Sequence, residues 1–198
     1  MPGLDDALAR LATAYAAPGR RYHDARHLAE VLAAVALLGE EADDLEVVRL
    51  AAYAHDAVYD GRAGEDEEAS ALLAERELAG LVEPDRLAEV VRLVRLTASH
   101  DPGPGDRDGA VLCDADLWIL SAPLERYEEY AADVRAEYAA YDDATFAAGR
   151  LRVLRSFLDR PRVYRTAGAA AWEPAARANL SREAARLGAA AAPPPAGG

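Results

Sequence analysis

DARHLAEVLAAVALL, residues 24–38, places Leu28, Val31, Leu32, Val35 and Leu38 three and four residues apart. That spacing lays one apolar stripe along a helix of 3.6 residues per turn. Asp24 stands just before the stripe, where a short acidic side chain caps a helix N-terminus. The same period continues on both sides. Leu4, Leu8, Leu11, Ala12 and Tyr15 share a face over 4–16, and Val47, Leu50, Ala51, Ala54 and Val58 do so over 45–59. Residues 65–80 open acidic and close on Gly80, and Pro84 opens 84–98, as helix ends require. Further helices are expected over 111–121, 123–139, 143–159 and 173–187. No run keeps up an alternation of period two, and RLVRLTA at 92–98 is the most strand-like. The expected fold class is therefore all-α, a single bundle of about eight to nine helices.

The connections are short, except for the Pro- and Gly-rich loop DPGPGDRDG at 101–109. No internal repeat and no mid-chain linker appears, so one domain is expected over 1–188. The Ala-, Pro- and Gly-rich stretch 189–198 is expected to be disordered.

The chain has 198 residues and a mean hydropathy of −0.16, and charges interrupt every apolar run, so no membrane span is expected. The first residues are amphipathic and acidic, unlike a secretory signal. The single cysteine, Cys113, excludes an internal disulfide and suits a reducing cytosol, so a cytoplasmic location is expected. The net charge of −13 weighs against duplex nucleic acid and anionic membranes as partners. It leaves room for a small phosphorylated ligand, because a bound metal can supply positive charge.

Four histidines stand out: His23, His27, His55 and His100. His23 and His27 are four apart, on one helical face. His55 is followed by Asp56, and Asp114 and Asp116 enter an apolar segment in CDADLW. Each has a plain reading by itself. The His pair is a solvated face, the His-Asp dipeptide is structural, Asp114 is an N-cap, EDEE at 65–68 favours a helix N-terminus, and Cys113 is a small core residue.

Their order along the chain says more. YHDARH at 22–27, AYAHDAVYD at 52–60, EDEEASA at 65–71, TASH at 97–100 and CDADL at 113–117 together resemble the HD superfamily of metal-dependent phosphohydrolases. The likeness is closer to a subfamily of roughly 200-residue HD proteins and covers about residues 12–187. Asp24 and Asp66 stand where that pattern has Asn, which adds negative charge at both places.

The resemblance implies an HD-domain-like helical bundle, with His27, His55, Asp56 and Asp116 holding one or two divalent ions (Mn, Co, Ni, Fe, Zn or Mg). Asp114 is the rival of Asp116 for the last ligand. It implies hydrolysis of a phosphate ester, of a nucleotide or another small phosphorylated metabolite, by metal-activated water. Glu67 would be the general base. His23 and His100 would bind phosphate or protonate the leaving oxygen, Arg20 would clamp phosphate, and Tyr22 and Ser70 would lie at the substrate. Glu67 and His100 would be the extra ligands of a two-metal site, whose chemistry is hydrolysis or, with iron, oxygenation. Two other readings stand beside the enzyme: a non-catalytic, metal-stabilised module that binds a nucleotide for regulation, and a structural helical protein without metal. Tyr53, Tyr59 and Trp118 are further candidates for stacking a base, and core packing is the plainer role for them. The segments 123–139 and 143–159 are expected either to cover the site or to form a homodimer surface.

Overall fold

Six of the ten residues of Leu45–Ala54 are buried, and this helix is the axis of the fold. The computed structural model describes residues 3–190. It contains nine α-helices: α1 (Leu4–Ala14), α2 (Ala25–Leu38), α3 (Leu45–Ala54), α4 (Glu65–Leu78), α5 (Pro84–Leu96), α6 (Arg107–Asp116), α7 (Leu124–Glu137), α8 (Asp143–Leu158) and α9 (Glu173–Ala190). Short 3-10 turns lie at Gly39–Glu41, Leu117–Ser121 and Gly168–Trp172. The described residues contain no strand, only an isolated bridge between Ala79 and Val82. None of these helices is long and apolar enough to cross a membrane.

α3 touches α1, α2, α4, α5 and α6. Ala51, Ala52 and Ala54 have no exposed surface, and their small side chains let these neighbours approach closely. α8 and α9 pack on each other, and α9 also covers the turn Leu117–Ser121. One apolar cluster runs from Ala7 in α1 to Leu180 in α9 and joins the two halves.

The helix bounds differ from the expected ones where polar side chains intervene. α3 was expected to reach 59 but stops at Ala54. The backbone beyond it is claimed from elsewhere. Tyr15 Oη accepts the Asp56 N–H (3.2 Å), Arg20 donates to the carbonyls of Asp56 (2.7 Å) and Ala57 (2.9 Å), and Ser70 Oγ both accepts from Val58 N–H (3.0 Å) and donates to its carbonyl (3.2 Å). These groups would otherwise be orphans of a helix end. The loop expected at 101–109 is shorter, because Asp106 caps α6 through the Gly109 N–H (2.9 Å) and the helix starts at Arg107. Residues 189 and 190 continue α9; the rest of the stretch expected to be disordered, 191–198, lies outside the described residues.

Ala51 tests how tight the axis is. Ala51→Leu should destabilise the fold by about 1–3 kcal/mol, since a close-packed core has no room for the added carbons. Urea unfolding should show a lower midpoint at an unchanged slope.

Candidate metal centre

Three separate elements deliver the four metal-binding candidates. His27 sits in the first turn of α2, whose N-cap Asp24 accepts the backbone N–H groups of Arg26 (2.8 Å) and His27 (3.2 Å). His55 and Asp56 follow the last residue of α3, and Asp116 is the last residue of α6. His55, just past the end of α3, keeps helical dihedrals (φ −55°, ψ −38°), and it and Asp56 both reach the same point.

His27 Nε2 lies 3.1 Å from His55 Nε2, 3.2 Å from Asp56 Oδ2 and 3.2 Å from Asp116 Oδ1. His55 Nε2 is 3.1 Å from Asp56 Oδ2 and 3.5 Å from Asp116 Oδ1. All four donor atoms fall within 4.8 Å of one another. Ligands held about 2.1 Å from one ion, at angles between octahedral and tetrahedral, stand roughly 3.0–3.4 Å apart. The residues fit a single divalent cation, and two imidazoles with two carboxylates suit a borderline or hard one.

The supporting contacts point the same way. His55 Nδ1–H donates to the Ala52 carbonyl (2.8 Å), which leaves Nε2 with its lone pair facing the cluster. Tyr15, fully buried, holds its hydroxyl 3.3 Å from His55 Nδ1 as well as against Asp56 N–H. Burial pushes that hydroxyl up to about 12, so it stays protonated. His100 Nε2 meets Asp116 Oδ2 at 2.7 Å. His100 adopts a left-handed backbone (φ 48°), which non-glycine residues use sparingly, and Arg160 secures its carbonyl (2.7 Å).

Burial works against charge on all four residues, and the opposite charges of the others work against that effect. For Asp56 and Asp116 desolvation is outweighed by His55, His27 and, at Asp116, His100, so both carboxyls stay well below the usual range. Desolvation would also neutralise His27 and His55, but the two carboxylates hold both imidazoles above their ordinary value.

His27 and His55 are almost fully enclosed, whereas Asp56 and Asp116 open onto a cavity of about 880 Å³. His23, His100, Glu67 and Tyr22 line the same cavity. Tyr59 does as well, whereas Tyr53 and Trp118 pack against the core. α7 and α8 supply a wall of the cavity, which favours the covering role over the dimer surface for those segments.

Several expected roles come out differently. Arg20 does not face the cavity. Its guanidinium is spent on the carbonyls of His23, Asp56 and Ala57, so it braces the ligand loop instead of clamping phosphate. Ser70 is fully buried and serves Val58, away from any substrate. Asp114 stands outside the four-donor group and lies inside α6, so it is not an N-cap. Its carboxylate accepts from Arg165 N–H (2.9 Å), Thr166 N–H (2.7 Å) and Thr166 Oγ1 (2.7 Å), which ties α6 to the segment before α9. Glu67 reaches the cavity but also accepts from the Gly64 N–H as part of a helix cap. Glu67 and His100 are not in the four-donor group. Asp66 accepts from Asp60 N–H (3.1 Å) and Arg62 N–H (2.7 Å). Asp24 and Asp66 thus both act as backbone acceptors, a task that the oxygen of an Asn side chain would also perform.

One residue escaped the sequence reading altogether. Glu137, at the end of α7, accepts the backbone N–H groups of Arg21, Tyr22 and His23 on Oε1 (2.8, 2.9 and 3.0 Å), and His23 Nδ1 on Oε2 (2.7 Å). It fixes the loop that leads into α2 and orients the His23 ring, which also stacks on Tyr59 with centroids 3.9 Å apart. A lone glutamate among many acids carries no sequence signal for such a role.

Two predictions follow from these contacts. Asp116→Asn should lose most metal affinity, while Asp114→Asn should keep metal and lower the melting temperature; metal content and calorimetry on both variants check this. Burial opposes charge on Glu137, but His23 and the three N–H groups lower its pKa from 4.5 to about 2. A depressed carboxyl stabilises the fold above its unfolded pKa. That stabilisation, on the order of 3 kcal/mol, is lost as pH falls from 4.5 toward 2. Glu137→Gln should therefore be less stable than wild type at neutral pH and show a flatter stability curve over that window.

In comparison with known proteins, the chain matches no family model, no curated protein and no solved structure.

Proposed function

We propose that this protein is a metal-dependent phosphohydrolase of the HD type, cleaving a phosphate ester of a nucleotide or another small phosphorylated metabolite. The observation that carries this reading is the closed group of His27, His55, Asp56 and Asp116 at a cavity floor, with two further histidines facing the same space. A structural cluster would have no need of a cavity, and a buried charge set of this kind is costly without a cation.

His27 and His55 would hold a divalent ion from behind, and Asp56 and Asp116 from the cavity side. The ion supplies a Lewis acid for a phosphoryl oxygen and lowers the pKa of a bound water. His100 locks the Asp116 carboxylate through its 2.7 Å contact. Glu67 is the cavity carboxylate that takes the proton of the attacking water. His23, anchored by Glu137 at Nδ1, presents Nε2 to the cavity and donates a proton to the leaving oxygen. Arg62 and Arg152, both exposed, line the cavity and offer positive charge to the substrate in place of Arg20. The reading takes one ion, because Glu67 and His100 stand outside the four-donor group.

The test is metal content and turnover together. Protein purified without a tag should carry about one transition-metal ion per chain, and His55→Ala should carry none. The metal-loaded protein should release phosphate from small phosphate esters. Glu67→Gln should keep the metal and lose about 10²–10⁴-fold in turnover. Wild type that binds no Mn, Co or Mg after incubation would overturn the proposal. Metal and nucleotide binding without any turnover would leave the regulatory module instead.

A further inference from the structure

Exposure changes steadily along the cavity. At one end the ligand carboxylates of Asp56 and Asp116 are 16% and 12% exposed, and Tyr22, Leu117 and Ile119 beside them are buried. At the other end Tyr141 and Val153 are 51% and 45% exposed, and Arg152 is exposed as well. The cavity therefore has a closed polar floor and an open mouth. Its volume of about 880 Å³ is that of a site for a whole organic molecule, well beyond a phosphate group.

The wall between floor and mouth is aromatic. Tyr138, Tyr141 and Phe146 come from the end of α7, the turn after it and the start of α8, and all three line the cavity. Their rings form one cluster, with Tyr138 6.0 Å from Tyr141 and 6.2 Å from Phe146. Arg135 backs Phe146 at 4.8 Å from its centroid, and its guanidinium also holds the carbonyls of Tyr138 (3.0 Å) and Tyr141 (3.1 Å). Arg135 thus holds the backbone of the turn that carries these rings, and Tyr141 remains half exposed. Partly wet aromatic faces offer stacking surface to a flat ring.

We infer that the α7–α8 turn determines specificity: the site takes a phosphomonoester with an aromatic organic part, bound phosphate-inward with its ring on Tyr138, Tyr141 and Phe146. A closed floor leaves room for one substituent on the phosphorus to run outward, whereas a diester needs two. This inference rests on the phosphohydrolase reading and narrows it from phosphate esters in general to one class.

Calorimetric titration of Co(II)-loaded full-length protein tests it without turnover. The probes are inorganic phosphate, ethylphosphonate, phenylphosphonate and phenylphosphonate monophenyl ester, which carries a second arm. Phenylphosphonate should bind at least tenfold more tightly than ethylphosphonate, and the two-armed ester should bind more weakly than either. Tyr141→Ala/Phe146→Ala should bring phenylphosphonate down to the ethyl level while the protein still holds its cobalt. Phenyl and ethyl compounds of equal affinity, or a phenyl preference that survives the double substitution, would overturn the inference and leave the phosphohydrolase reading standing. Failure of phosphate and all three phosphonates to bind the cobalt-loaded protein would overturn both.

Discussion

Four potential donor atoms packed within 4.8 Å, two of them on almost fully buried imidazoles, set the terms for the rest of this structure. Two carboxylates cannot sit this close in a protein interior unless positive charge is shared among them. The two carboxylates raise the pKa of both imidazoles, against the burial that lowers it, and a divalent cation among the four would supply positive charge directly. Everything nearby serves to keep the four atoms converged.

That service is largely backbone work. α3 ends at Ala54, just before His55 and Asp56, and a stopped helix exposes carbonyls and amides that need partners. Tyr15 from the end of α1, Arg20 from the next loop and Ser70 from α4 satisfy them. Asp66 does the same for residues 60 and 62, Asp24 for the first turn of α2, and Glu137 for residues 21–23. Several residues that look catalytic by type are in this bracing layer. An Arg beside a candidate metal site is a natural phosphate clamp, yet both terminal nitrogens of Arg20 are taken by three carbonyls.

This division explains what was legible in the sequence. Helical period revealed each helix, because burial of one stripe is a local pattern: Leu28, Val31, Val35 and Leu38 lie on the buried face of α2 as their spacing requires. The four residues that could hold a metal were legible as an ordered set, and the structure brings them together. The choice of Asp116 over Asp114 came from the resemblance, and the geometry explains it: two residues apart on α6, the two carboxylates point about 200° apart around the helix axis, one to the ligand cluster and one to Thr166. The bracing roles were not legible. Arg20, Ser70 and Glu137 act on backbone 36, 12 and 114 or more residues away, and any polar residue at the right point in space would leave the same trace in sequence.

The electrostatics of the cavity bear on the proposed anionic ligand. A chain of net charge −13 repels anions at long range, and at ordinary ionic strength that repulsion is screened beyond about 8–10 Å. What decides binding is therefore the charge within the cavity. Arg150 is spent on Glu183 and Arg160 on the carbonyls of Ser99 and His100, so neither is free for a ligand. Arg152 has no ion-pair partner among the described residues, and Arg62 has only a loose one, 3.7 Å from Glu65. Two exposed guanidinium groups in the cavity lining face a floor that holds Asp56 and Asp116. On the proposed reading, a cation on those carboxylates would make the floor attractive to phosphate, and affinity for the substrate would be tied to occupancy by the metal.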